Sequence, residues 1–407
     1  MDFKCVVVAA TLFKFLLESD SMIAFIFERV VDKNQILLLR TRKSASMQAI
    51  RLFPVILLLV SCQFAIAQGL GSKQDSVQNP VQRAVCQESE GEISISIGKQ
   101  VFLTYHKSLV QPPDGIDSVF GRSGYIHPIR SPSGREVTGD FAPDHAHQHS
   151  FFMAWVSAEF NGHEVDFWNQ KKQTGRVSHA KVMAVNNTDS FGEFEIELSH
   201  EDVTIAQQPI QVIAERWKVR AFHRVVDQPF VCDFESHQKC VAESPLVLRQ
   251  YHYGGFGLRG NQQWYKPGAN AALKAWTKRL AKSKNTPDMT LPTPPDLSVM
   301  GHDFLTSENK RRHDGNHTRA RWVTIYGPID QGTAGIAILS HPENFRSPQH
   351  VRLHPSKPYF SYAPVVGGGF QIGPAETYTT RFRVVSYDGQ PNRKILDQLW
   401  KDYSEGQ

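Results

Sequence analysis

The sequence predicts an all-β protein, a large antiparallel β-sandwich with few short helices. Runs of β-branched and aromatic residues recur from Glu92 to Ser386, several with the strict alternation of a half-buried strand. Turn signals such as Asn161-Gly162 and Ser131-Pro132-Ser133-Gly134 separate the runs, at intervals of about eight to twelve residues. Only Ala269–Lys284 and a closing stretch near Lys394–Tyr403 read as helices. A chain of 407 residues is long enough to bury one large core of this kind.

The N-terminal stretch up to residue 67 stands apart. Met47–Arg51 is a short basic start, and Leu52–Val60 is an apolar core too short to span a bilayer. Ala65-Ile66-Ala67 then fits a small-x-small cleavage site. Residues 47–67 therefore read as a signal peptide, with Gln68 the mature N-terminus. Residues 1–46 read as an upstream extension from a misplaced start, or as a second targeting element. A rival signal overlaps: Leu59-Val60-Ser61-Cys62 fits a lipobox that would tether the chain through Cys62. Either way the expected location is periplasmic or extracellular. After residue 68 no apolar run nears the ~20 residues of a membrane helix.

Residues 68–90 are rich in Gln, Ser and Gly and are expected to be a disordered lead-in. Residues 91–407 are expected to form a single sandwich domain. Glu92–Ile97 alternates strictly, and Val101–Tyr105, Gly124–Ile129, Phe151–Phe160 and Val165–Trp168 follow as strands. Ala180–Val185, Phe191–Leu198, Ile210–Phe222, Val231–Phe234 and Leu246–Tyr253 continue the series. The glycine-dense run Gly254–Gly260 lacks the strand–helix context of a dinucleotide fingerprint. It reads as a tight corner, or as backbone approaching a ligand. Residues 261–320 break the alternation, and the proline-rich part, Pro287–Pro295, cannot be sheet. This segment reads as a mobile excursion over the mouth of the sandwich. Strands resume at Arg321–Tyr326, Gly335–Leu339, Tyr359–Val366 and Tyr378–Ser386.

Charge and cysteine content exclude some classes. A net charge of +5, with no Lys/Arg run interleaved with aromatics, makes no case for a nucleic-acid partner. Cys86, Cys232 and Cys240 remain after the leader. Either Cys232 and Cys240 close a hairpin as a disulfide, or all three are thiols.

Chemistry concentrates at Asp144-His145-Ala146-His147-Gln148-His149. On an extended backbone alternate residues share a face, so His145, His147 and His149 would point together, with Asp144 placed to orient one of them. Imidazoles serve as metal ligands and as acids or bases near neutral pH. These three are thus the candidate ligands for a divalent metal, and His145 or His147 the candidate base. Glu343 is the candidate acid, or else a turn carboxylate after His341-Pro342. Asp166, His179, Glu215, His252, Arg259 and His341 join His149 as candidate substrate-binding groups. Taken singly, His179, His252 and His341 read more plainly as satisfied or solvated imidazoles. Trp155 and Trp168 read as core.

Several of these pieces together resemble a known family. They are Gly124–Ile129, the Asp144–His149 stretch, Asn161-Gly162, Val165–Trp168 and Gly175–His179, then Glu215-Arg216-Trp217, Gly254–Arg259, Ala320–Val323 and Gly335–Asn344. From about Gly124 to Asp388 the chain resembles the bacterial secreted family that carries the name methane oxygenase PmoA, a domain of unknown function. Members usually have a proline where Ala146 stands, and often a further histidine where Gln148 stands, so a full histidine ligand set is not implied. The resemblance implies a supersandwich like that of galactose mutarotase, with a sugar cleft lined by His and acidic groups. It does not imply the membrane monooxygenase of that name, which has many spans.

The expected function is therefore an exported protein with a His/acid cleft that acts on carbohydrate or a related polyhydroxylated ligand by isomerase, lyase or hydrolase chemistry. The alternatives are a metal-dependent oxidase built on the histidine cluster and a non-catalytic carbohydrate-binding module.

Overall fold

Alternation along the chain becomes two faces in space, one turned to a shared core. The computed structural model describes residues 80–205, 207–284 and 290–406. Two antiparallel sheets of eight strands each dominate it. The first, here the long sheet, runs in the order Asp303–Thr306, Trp322–Ile329, Gly332–Ser340, Thr377–Asp388, Phe230–Cys240, Ile210–Phe222, Phe191–Asp202 and Gly175–Asn187. The second, the site-bearing sheet, runs Val351–Leu353, Tyr359–Tyr362, Gly255–Arg259, Phe151–Ala154, Tyr125–Ile129, Gln100–His106, Glu92–Ile97 and Ala84–Glu88.

The inner faces meet through aromatic rings. Phe151 of the site-bearing sheet lies 4.8 Å from Phe234 of the long sheet, and Phe256 lies 4.9 Å from Phe382 (centroid distances). Each fully buried phenylalanine of this kind contributes about 1.5–3 kcal/mol, so these rings hold the two layers together. A polar network also crosses the core. Trp155 donates to Gln238, which donates to the buried Glu215, and His200 and Ser236 close around the same carboxylate.

Register fixes which residues of the site-bearing sheet face outward. Val351, Leu353, Phe360, Tyr362, Phe256 and Leu258 belong to the core. Their neighbours must then point the other way. Arg352 pairs with Ser361, Ser361 with Gly257, and Tyr359 with Arg259, so these residues share the outer face.

The structure departs from the sequence reading in three places. Phe151–Phe160 is two strands, Phe151–Ala154 and Ala158–Phe160, in different sheets. The chain turns between them, with Ser157 at φ 52°. The end of the expected disordered lead-in forms strands Val81–Gln82 and Ala84–Glu88, because alternate residues Ala84 and Cys86 reach the core. Residues 261–320 are more than a loop. Besides the expected helix Ala269–Lys284 they hold a short helix Leu297–Met300 and the edge strand Asp303–Thr306. Of the two cysteine readings the structure selects the free thiols: Cys232 and Cys240 lie on one strand, Phe230–Cys240. Eight residues of extended chain separate them by about 27 Å, so no disulfide joins them, and both are buried free thiols.

The closing helix is Arg393–Ser404, capped by the Asn392 side chain. The signal peptide, the upstream extension and Cys62 lie outside the described residues. Among the described residues no helix is long and apolar enough to cross a membrane.

Candidate functional site

The histidine stretch is not a strand. Its backbone turns twice, with His145 N–H donating to Ala142 and Gln148 N–H to His145. The three rings consequently do not share one face. His145 and His147 stay together, ring centroids 5.3 Å apart. His149 is fully buried, and both of its nitrogens are engaged, Nδ1 with Asp140 at 2.8 Å and Nε2 with Gln170 at 2.7 Å.

Arg259 anchors the stretch to the outer face of the sheet. It is fully buried and donates to both oxygens of Asp144, at 2.7 and 3.1 Å, and to Gln148 at 3.0 Å. Lys357 reaches the same carboxylate at 3.0 Å. Burial alone would raise the Asp144 carboxyl, but hydrogen bonds from His145, Arg259 and Lys357 and the charge of Arg259 hold it well below the usual carboxylate range. The His145 Nδ1 lies 3.1 Å from Asp144 and 2.7 Å from the Lys357 ammonium. One ring nitrogen cannot accept and donate at once. With the proton on Nδ1 the ring donates to Asp144, and with the proton on Nε2 it accepts from Lys357.

His147 differs from its neighbours. It is half-buried, and no hydrogen bond joins its ring to any described residue. Burial, helped by the charges of His145 and His149, pushes its pKa down to about 3. His354 flanks His145 with ring centroids 6.1 Å apart. Its Nδ1 accepts the backbone N–H of Ser356 and Lys357. Burial and the charges of Arg352, Lys357 and His145 push it, too, down to about 3. Both imidazoles are therefore neutral at neutral pH. The half-buried Tyr253 stands edge-on to the buried Trp168 at 5.2 Å, and the buried Tyr359 lies 6.0 Å from the same indole.

The other candidates sort clearly. Asp166 is buried as a turn cap, accepting the N–H of Trp168 and Asn169 and pairing with Lys172 at 3.0 Å. It still acts on His147 through its charge. His252 stands exposed beside Tyr251 and Tyr253, at ring distances of 4.3 and 4.7 Å. The remaining four lie elsewhere. Glu215 points into the inter-sheet core because it alternates in phase with Trp217. His179 bonds the Tyr105 hydroxyl at 2.9 Å from the edge strand of the long sheet. His341 packs edge-on against Tyr403, and Glu343 is 70% exposed and paired with Arg381. Arg381 sits opposite Glu235 while Phe382 faces the core, so Glu343 belongs to the outside of the long sheet. It is not the acid partner of His145 or His147.

A histidine metal centre does not fit either. Among the described residues no group of three or more His, Cys, Asp or Glu is placed to hold an ion. His149 has no free nitrogen, and an ammonium occupies the His145 Nδ1.

The sequence reading missed Lys357, His354, Arg352, Tyr359 and Tyr253. His354 and Lys357 belong to a polar turn, His354-Pro355-Ser356-Lys357-Pro358, between two short strands, which by itself carries no sign of a site. The glycine-dense run turned out to serve packing. A Cβ on Gly257 would fall 2.7 Å from Trp168, and one on Gly260 2.6 Å from Trp264. Trp155 and Trp168 are core, as read.

Fold and site thus define a two-sheet antiparallel β-sandwich carrying a basic, histidine-rich cluster on the outer face of one sheet. The sequence matches the family of unknown function DUF6807 over residues 92–401, and the chain belongs to that family. Its description names no activity, so the methane oxygenase name gains no support from it. No curated protein matches the chain. Among solved structures the chain is similar to heparan sulfate lyase HepC from Pedobacter heparinus, at 11% identity and TM-score 0.31, covering 76% of this chain and 37% of that one. It is similar to the Slr1438 protein from Synechocystis sp. PCC 6803, at 9% identity and TM-score 0.30, covering 76% and 96%. It is also similar to the GH36 alpha-galactosidase AgaA from Geobacillus stearothermophilus, at 11% identity and TM-score 0.26, covering 75% and 41%. These likenesses are too distant to bear on activity.

Proposed function

We propose that this protein binds a sugar or related polyhydroxylated ligand on the outer face of the site-bearing sheet and transfers a proton there, with His147 as the acceptor. The observation that carries this reading is the half-buried His147 ring, which has no hydrogen-bond partner among the described residues although it is neutral at neutral pH. Its ring nitrogens are neither bonded by the protein nor sealed from solvent, so they are open to a ligand. His145 supplies the complement. In the tautomer that accepts from Lys357 at Nδ1, its Nε2–H is the donor toward an oxygen on which charge develops. In this reading the proton leaves a carbon beside a carbonyl for the His147 lone pair, and the electron pair passes into the carbonyl oxygen held by His145. The half-buried Tyr253 ring, backed by the buried Trp168, offers an aromatic face for a sugar to stack on.

A second reading, a binding module without turnover, draws on the same pKa. A base near 3 is weak at neutral pH, and in this reading the ring serves only as a hydrogen-bond acceptor. Proton NMR in D2O separates the two. The protein is incubated with a panel of hexoses, ketoses and uronates. Exchange of a carbon-bound proton for deuterium in one of them is the expected result. Saturable binding with no exchange and no new product favours the module. Neither binding nor exchange for any sugar would overturn the site.

A further inference from the structure

Three cations lie on or beside this face of the sheet: Arg259, Lys357 and Arg352. Only one carboxylate, Asp144, stands among them, and Arg259 and Lys357 share it. Asp166 does not restore the balance, since Lys172 pairs with it and backbone N–H groups cap it. Arg352 is the odd member. It is half-buried, and among the described residues no carboxylate lies within ion-pair distance of it. Its only protein acceptor is the Leu353 carbonyl at 3.5 Å. A guanidinium drawn partly out of water with no counter-charge is costly, and nothing in the fold repays that cost.

Its position is defined by register. Arg352 pairs with Ser361 on the outer face, one residue pair from Tyr359 and Arg259. His354 follows on the same strand end, its N–H donating to the Tyr359 carbonyl. Arg352 acts on His354 and on His252 through its charge, and Tyr253 and Tyr359 act on Arg352 in return. It stands two residues before His354, the ring that flanks His145 at 6.1 Å. Beneath it, the buried Tyr359 and Ser361 hydroxyls have no hydrogen-bond partner beyond each other. Neither can neutralise a cation.

We propose that the cleft takes an acidic sugar, a ligand bearing a carboxylate on a polyhydroxylated ring, and that Arg352 is the residue that binds the carboxylate. The proposal rests on the outer-face site described above and names its ligand class. A planar guanidinium matches a carboxylate with two parallel hydrogen bonds. Binding the anion would bring the local count of charges close to even. A neutral sugar would leave Arg352 as costly as before, so the site discriminates by charge as well as by shape.

Isothermal titration calorimetry of the full chain with D-glucuronate, D-glucose and acetate at low salt tests this. We expect glucuronate to bind at least about ten-fold more tightly than glucose and than acetate. That advantage should shrink as salt is added. Arg352→Gln should erase the preference for glucuronate while the thermal midpoint stays near wild type, since the residue makes no ion pair in the fold. Equal binding of glucose and glucuronate would overturn the acidic class and leave the site standing. Acetate binding as tightly as glucuronate would reduce Arg352 to a general anion site and overturn the sugar. No binding by any of the three, with Arg352→Gln and His147→Ala alike indistinguishable from wild type, would sink the site itself.

Discussion

His145 and His147 lie two residues apart and are held in opposite ways. His145 is fixed between Lys357 and Asp144, while His147 is left unbonded. The pivot is the pair between Asp144 and the fully buried Arg259. Removing one partner of a buried pair leaves an uncompensated charge, which costs about 3–5 kcal/mol. Asp144→Ala should therefore lose stability of that order in chemical denaturation, because Arg259 cannot reach water. A loss below about 1 kcal/mol would mean that the pair is no anchor. Acid gives a second check. His147 and His354 titrate near 3 when folded and near 6.5 when unfolded. Between these values the unfolded chain binds more protons, so their contribution is complete above about pH 6.5 and is lost as pH falls toward 3. The denaturation midpoint should thus decline from about pH 6.5 downward, and in His147→Gln the decline should be shallower. An identical slope in the variant would place the titration elsewhere.

At the level of elements, the strand Gly255–Arg259 shows how packing sets up the site. Gly257 leaves room for the Trp168 indole, and Arg259 then projects from the same face two residues on. Gly257→Ala would place a methyl 2.7 Å from that indole. Overpacking of this sort costs about 1–3 kcal/mol, and the shift in thermal midpoint should be accompanied by a change in indole fluorescence. An unshifted variant would show that the indole has slack. The segment 261–320 contributes from behind. Arg312 donates to the carbonyls of His302, His354 and Pro355 and so fixes the turn that presents Lys357. Strand content was legible in the sequence because alternation states burial directly, as in Glu92–Ile97. The histidine stretch misled because a spacing of two implies a shared face only on an extended backbone, and here the backbone turns. Lys357 was invisible for another reason. It lies 212 residues from His145, and no local pattern reports which distant hairpin tip will fold back onto a turn.

For the whole molecule, the two sheets assign the charged groups to three separate places. Glu215 and His200 are sealed between the layers. Glu343 and Arg381 lie on the outside of the long sheet. Asp144, His145, His147, Arg259, Arg352 and Lys357 gather on the outside of the other sheet. A sequence reading could name Glu343 and His147 together, but only the layering shows that the core stands between them. The residues 92–401 shared with the family take in all three places, so family membership alone does not choose among them. The most direct measurement compares His147→Ala with Glu343→Gln on the sugar that wild-type protein binds or exchanges, with thermal midpoints recorded alongside. We predict that His147→Ala keeps its midpoint and loses exchange by about 10²–10⁴-fold, or loses affinity if the protein only binds, while Glu343→Gln matches wild type in both. Full function in folded His147→Ala, or loss in Glu343→Gln, would contradict the placement of the site.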